Sequence, residues 1–153
     1  MDKRLVFVMV IGALVFLAGC ADDSATGAAT SGSGSAASVS GVMRIPLDEV
    51  SGDMERHSYD ADGVDLGILV AEGSDGEPRT AFDACDVCGG HQGYRQEGGY
   101  AVCNNCGQRF AIDDIGTANQ AGGCWPSYLE HEIDGDEIVI QKQDIYDNAY
   151  RFQ

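Results

Sequence analysis

The sequence predicts a mostly β fold, in a small domain whose loops carry the cysteines. Short apolar runs alternate with turns rich in Gly and Asp, and no segment shows a long helical period. The segments "EGSDGE" and "IDGDE" contain Asp-Gly dipeptides, which favour tight hairpin turns. Eight strands are predicted, at 42–46, 57–60, 66–72, 79–83, 99–103, 109–112, 128–133 and 137–141.

The N-terminal segment predicts a lipoprotein. Lys3 and Arg4 precede an uncharged, mostly apolar run at 5–18, and "LAGC" places small residues before Cys20. Residues 1–19 are therefore predicted to be a signal peptide, and Cys20 the lipid-modified first residue of the mature chain. The alternative is a transmembrane anchor, which needs about 20 apolar residues, more than this run supplies. We expect the protein at the extracytoplasmic face of the cell membrane, with membrane lipid as its first partner through Cys20.

Residues 20–41 are predicted to be a flexible tether and residues 42–153 a single domain. After Cys20 the tether is almost wholly Ala, Gly, Ser and Thr, which cannot bury enough apolar surface to fold. A tether of this length reaches about 25 Å.

The charge of the chain excludes one class of partner. It has 9 Lys and Arg against 25 Asp and Glu, and removal of Asp2, Lys3 and Arg4 leaves 7 against 24, a formal charge of −17. Such a surface repels phosphate, so no nucleic-acid partner is expected. It attracts cations, or suits high salt.

Four cysteines form two matched pairs, Cys85 and Cys88 in "CDVCGG" and Cys103 and Cys106 in "CNNCGQ". Two intervening residues allow a tight turn that aims both sulfurs at one ion, and the following glycine lets the chain leave the turn. Two such pairs predict a four-thiolate metal site. A bound metal would also order the neighbouring segments "GGHQGYRQEGGY" and "GTANQAGG", which contain few core-forming side chains.

The spacing leaves the metal and the full ligand set open. Tetrahedral thiolate sites suit zinc, a single iron, an iron–sulfur cluster or Cu(I). Cys124 brings the mature thiol count to five. It can act as a further ligand, replace one, form a disulfide when metal is absent, or be an inert loop residue. His91 has suitable ligand chemistry, with an exposed loop histidine as the alternative. Four aromatic residues either shield the site from water or pack the core: Tyr94, Tyr100, Phe110 and Trp125.

The motifs "AFDACDVC", "GYRQEGGYAVCNNCG" and "GGCWP", in this order, resemble the FtrD-like family of membrane iron–sulfur proteins, over most of residues 42–152. The resemblance implies a membrane-associated protein that binds iron or an iron–sulfur cluster and is encoded with iron-uptake systems. It also implies an iron permease or a redox protein as partner. The residues that match the family's cysteines are Cys85, Cys88, Cys103, Cys106 and Cys124.

The order of strands and cysteine loops is also similar to Rieske-type domains, and the paired Cys-x-x-Cys-Gly loops are similar to rubredoxin-like ones. Rieske domains carry Cys and His in each loop, whereas Cys88 and Cys106 stand where the histidines would be. This likeness implies a lower reduction potential than that of a His-ligated cluster.

Three function classes follow. The first is an electron-transfer or metal-handling protein linked to iron uptake. The second is a binding module in which zinc is structural and the acidic surface captures metal or a protein partner. The third is a thiol-disulfide oxidoreductase, which is disfavoured because no helix is predicted after either cysteine pair. The sequence shows no Ser-His-Asp set, paired carboxylates or phosphate-binding glycine loop, so a hydrolase or transferase is not expected.

Overall fold

The fold is mostly β, as predicted. The computed structural model describes residues 39–88, 92–119 and 122–153. Within these ranges the strands are β1 (Val42–Pro46), β2 (Glu55–Ala61), β3 (Val64–Glu72), β4 (Pro78–Cys85), β5 (Tyr94–Glu97), β6 (Tyr100–Cys103), β7 (Arg109–Ala111), β8 (Pro126–Tyr128), β9 (Glu132–Asp134) and β10 (Glu137–Gln141). One α-helix, α1 (Lys142–Asp147), and three 3-10 helices, Leu47–Glu49, Ile112–Asp114 and Ala149–Phe152, complete the described elements.

The strands form three antiparallel sheets, with the orders β1-β10-β9, β2-β3-β4-β8 and β5-β6-β7. Tight turns set the register of several hairpins. Between β2 and β3, Asp62 and Gly63 both have positive φ, which joins Ala61 directly to its partner Val64. Gly135, also at positive φ, turns the chain between β9 and β10. Gly76, at positive φ, lies between β3 and β4, so the hairpins predicted at "EGSDGE" and "IDGDE" are both confirmed.

Strand β3 separates two apolar cores, because successive side chains of a strand point to opposite faces. Leu66, Ile68 and Val70 face a first core that they share with β1, β10 and α1, where Ile45, Ile140 and Ile145 are buried. Leu69 faces a second core against the sheet β5-β6-β7. The cysteines belong to this second core.

One strand prediction was wrong, and two elements were missed. The segment 128–133 was predicted as one strand, but Tyr128 ends β8 and β9 begins only at Glu132. No strand was predicted at 94–97, where β5 lies; its Tyr94 is buried and pairs with Cys103. The helix α1 is six residues long, too short to show a long helical period.

Several predictions concern residues that the structure does not describe. The signal peptide, Cys20, most of the tether and His91 all lie outside the described ranges. Among the described residues, no helix is long and apolar enough to cross a membrane.

Candidate metal centre

The first cysteine turn, residues 85–88, begins where β4 ends. Cys85 is the last residue of β4, and its Sγ accepts hydrogen bonds from two backbone N–H groups within the turn, those of Val87 at 3.4 Å and Cys88 at 3.1 Å. The Asp86 N–H donates to the Trp125 carbonyl at 3.1 Å. The turn thus presents its N–H groups to the sulfur, which stabilises a thiolate.

The second cysteine turn, residues 103–106, repeats this arrangement between β6 and β7. Cys103 ends β6, and its sulfur interacts with the backbone N–H groups of Asn105 and Cys106. Gly107 follows with a φ of +74°, a conformation that glycine adopts without a Cβ penalty. Its N–H donates to the Cys103 carbonyl at 2.9 Å. The glycine after the second pair therefore has the role that the sequence predicted for it.

The two turns and a third loop bring the thiols together. The Sγ atoms of Cys85, Cys88, Cys103 and Cys124 all lie within 4.8 Å of one another. Cys88 Sγ and Cys124 Sγ are 2.7 Å apart. All five described cysteines are free thiols.

Cys106 stands beside this group of four rather than within it. Its side chain is exposed, whereas Cys103 and Cys124 are buried. The thiols of Cys124, Cys103 and Cys88 nevertheless lower the pKa of Cys106. The structure therefore gathers five sulfurs, and the closest four are not the set that two Cys-x-x-Cys pairs alone would suggest.

The surroundings divide the thiols into two kinds. Burial raises the pKa of Cys85, but the N–H groups of Cys88 and Val87 outweigh it, so this pKa lies below its ordinary value. The Gln108 N–H and the Cys124 thiol lower the pKa of Cys106. Burial raises the pKa of Cys103, and interaction with Cys88 and Cys106 raises that of Cys124. A cation among these sulfurs would stabilise all of them as thiolates.

The sulfur positions fit one tetrahedral ion. A metal–sulfur bond of about 2.3 Å places the four sulfurs of a tetrahedron about 3.8 Å apart; the observed group lies within 4.8 Å, with its closest pair at 2.7 Å. Thiolate donors suit iron and zinc alike. An iron–sulfur cluster distributes its cysteines over different irons and so needs a wider spacing. The residues present thus fit a thiolate-bound metal such as iron.

Asp83, two residues before the first cysteine turn, pairs with Arg56 and fixes the start of strand β5. Asp83 accepts hydrogen bonds from the Tyr94 N–H at 2.7 Å and from Arg56 Nε at 3.1 Å. Its carboxylate lies against Gly93, where any Cβ would come within 2.8 Å of both carboxylate oxygens. The Gly93 carbonyl in turn accepts the Asn104 N–H at 3.0 Å. Asp83 and Gly93 therefore connect the two cysteine turns.

The C-terminal segment also supports the first turn. Asp86 Oδ1 accepts hydrogen bonds from Ser127 Oγ at 2.6 Å and from Arg151 Nη1 at 3.0 Å. Ser127 Oγ lies 3.1 Å from the Ala84 carbonyl. The side chains of Asp86 and Arg151 are only about a quarter exposed, at 24% and 22%. This partial burial strengthens the ion pair relative to one at the open surface.

Three of the four aromatic residues predicted near the site pack in its core. The rings of Tyr94 and Phe110 meet edge to face with centroids 6.2 Å apart, and those of Phe110 and Trp125 at 5.2 Å. Trp125 Nε1 donates to the Thr117 carbonyl at 3.1 Å. Tyr100 is 45% exposed and stacks with Arg109 instead, so it does not shield the thiols.

A mostly β domain with two Cys-x-x-Cys turns and a fifth thiol defines a thiolate metal-binding protein. The chain belongs to the family described as "Membrane iron-sulfur containing protein FtrD-like", whose model matches residues 50–152. The resemblance seen in the sequence is thereby confirmed. No curated protein and no solved structure matches the chain.

Sequence reasoning found all five thiols but missed the residues that hold them in place. Asp83 was visible only as part of the motif "FDAC", and Gln108 carried no signal. Gln108 links the second turn to the Cys124 loop: its carbonyl accepts the Cys103 N–H at 2.9 Å, and its Oε1 accepts the Cys124 N–H at 3.4 Å. The bond from Gln108 to Cys124 joins residues distant in sequence, so no local pattern reports it.

Proposed function

We propose that this protein is a lipid-anchored, extracytoplasmic metal-binding protein that holds iron in its cysteine centre and serves electron transfer or metal handling in iron uptake. The observation that carries the proposal is the group of four Sγ atoms within 4.8 Å. Membership of a family described as membrane iron–sulfur proteins supports iron over other metals. When bound, iron supplies a one-electron couple.

The position of the centre supports exchange with a partner. Cys103 is 1% exposed and closes the inner side of the site, while Val87, inside the first turn, is 62% exposed. Cys106 is exposed on the second turn. The thiols therefore lie between an apolar core and the surface. Either an electron or a metal ion could pass there to an iron permease or a redox protein.

Structural zinc is the second candidate, and the same geometry favours it. Zinc also binds four thiolates in a tetrahedron with metal–sulfur bonds of about 2.3 Å. The protein would then be a binding module that presents its acidic surface to metal or to a protein partner. A thiol-disulfide oxidoreductase has less support, because the second turn is followed by the strand β7 and not by a helix that would activate a thiol.

One preparation tests these functions: the full chain, purified from membranes without oxygen. Bound metals are quantified, and visible absorption and paramagnetic resonance are recorded before and after reduction. We expect iron and a reversible loss of colour on reduction. A colourless protein with one zinc would overturn the electron-transfer function and support the zinc module. A metal-free protein with a reversible disulfide would overturn both and support the oxidoreductase.

The same preparation tests the anchor. Mass spectrometry of the N-terminal peptide is expected to show diacylglycerol on Cys20. An unmodified peptide that begins at Met1 would overturn the lipoprotein prediction, whatever metal the domain holds.

A further inference from the structure

The cysteine centre contains five sulfurs, whereas a tetrahedral ion binds four. Cys85, Cys88 and Cys103 are common to both candidate sets, the two sequence pairs and the closest four in the structure. We propose that Cys106 and Cys124 alternate at the fourth position, so that the centre has one exchangeable ligand through which metal enters and leaves. This inference rests on the proposed function, because it requires that the site binds metal.

Cys124 occupies the inner position. Its side chain is 8% exposed, and its sulfur lies 2.7 Å from Cys88 Sγ. The loop that carries it reaches this place through Gly122 and Gly123, both at positive φ. A buried thiol in a group of four sulfurs has the surroundings of a ligand and not of an inert loop residue.

Cys106 occupies the outer position. It belongs to the same turn as Cys103, and the Gln108 N–H lowers the pKa of its thiol, as the Cys88 N–H does for Cys85 in the first turn. A cysteine turn thus presents this sulfur to the ion as well. Its exposure means that it can turn to solvent without opening the core.

Gln108 places both thiols next to each other. It is two residues from Cys106, and its Oε1 accepts the Cys124 N–H at 3.4 Å. Each of these two thiols shifts the pKa of the other, that of Cys106 downward and that of Cys124 upward. In the exchange, one sulfur–metal bond forms as the other breaks; the entering thiol gives up its proton, and the departing thiolate takes one up. Neither the charge nor the oxidation state of the centre changes.

This exchange assigns a function to the exposed thiol of Cys106. While Cys124 holds the fourth position, Cys106 is free to bind an incoming ion or to make room for a ligand from a partner. A centre with four fixed thiolates would have to break a bond before any such ligand could approach. We therefore expect Cys106 to control the rate of metal exchange and not the number of thiolates bound.

Cobalt(II) bound to the full chain tests the inference, since its sulfur-to-metal charge-transfer absorption grows with the number of thiolates. Cys106→Ser and Cys124→Ser are each expected to match the wild type. The double variant, and Cys88→Ser as the control for a shared ligand, should each lose about a quarter of this absorption, from four thiolates to three. With a chelator in excess, Cys106→Ser should release cobalt several-fold more slowly than the wild type.

Alkylation of the cobalt-loaded wild type gives a second measurement that needs no variant to fold. Iodoacetamide is expected to label Cys106, identified by mass spectrometry, and to leave the other four thiols protected. Two results would show a fixed ligand set: label on Cys124 alone, or loss of a quarter of the absorption in one of the variants Cys106→Ser and Cys124→Ser but not in the other. Either result would overturn the inference and leave the proposed function intact. A wild type that binds no metal would overturn both.

Discussion

Gly93 lies between the two cysteine turns, and its replacement by alanine tests how the site is held. Its φ is +70°, and an added Cβ would lie 2.8 Å from both carboxylate oxygens of Asp83. That carboxylate cannot move freely, because it is bonded to the Tyr94 N–H and to Arg56. Gly93→Ala is therefore expected to strain the backbone and to displace Asp83 from its partners.

Gly98 provides a matched control at the other end of β5. Its φ is +61°, and an added Cβ would meet nothing within 4 Å. Gly98→Ala should lose only the backbone preference, about 1–2 kcal/mol for an L-residue in the left-handed region. Gly93→Ala should lose this and a hydrogen bond to a charged group, about 1.5–3 kcal/mol. The difference between the two variants is therefore about 2 kcal/mol, on the same principle.

The assay is equilibrium unfolding in guanidinium chloride, followed by the fluorescence of Trp125, the single tryptophan of the chain. Because Trp125 packs beside the thiols, its signal reports on the site itself. If the free energy of unfolding falls equally in the two variants, Asp83 can move aside without losing its hydrogen bonds. That result would refute the reasoning about this contact.

Two further predictions concern groups near and away from the centre. Tyr94 donates its hydroxyl proton to the Cys124 carbonyl at 3.3 Å, so Tyr94→Phe should lower the free energy of unfolding by about 1 kcal/mol, the contribution of one hydrogen bond. Burial lowers the pKa of His131 below its ordinary value of 6.5. As the pH falls, the unfolded chain therefore takes up a proton at this histidine before the folded chain does. The contribution of neutral His131 to the free energy of unfolding should thus be complete above pH 6.5 and decrease below it, until the folded form also becomes protonated.

Each prediction has its own control. Tyr100→Phe should leave the free energy of unfolding in guanidinium chloride unchanged, since Tyr100 is exposed; an equally unchanged value in Tyr94→Phe would mean that its bond to the Cys124 carbonyl does not stabilise the fold. His131→Asn should flatten part of the decline in unfolding free energy below pH 6.5. Identical pH profiles for the variant and the wild type would show that His131 does not cause the decline in stability below pH 6.5.

Much of the fold was predictable because β-structure leaves local signals. β1 and β10 were predicted with their observed bounds, and the hairpin turns followed from Asp-Gly dipeptides. β5 was missed because its buried Tyr94 is surrounded by polar residues and glycines. It is a strand because it pairs with β6, a partner that no window of the sequence around it contains.

The sequence by itself determined the thiol chemistry: the number of cysteines, their pairing in two tight turns, and the family to which the chain belongs. These depend on residue types and short spacings, which local sequence records directly. Only the tertiary structure decided which thiols lie together. It buried Cys124 beside Cys88 and left Cys106 at the surface. The physical reason is that the Cys124 loop is held to the cysteine turns by hydrogen bonds from Asp86 to Trp125 and from Cys124 to Gln108. These bonds span distances in sequence that no spacing rule covers.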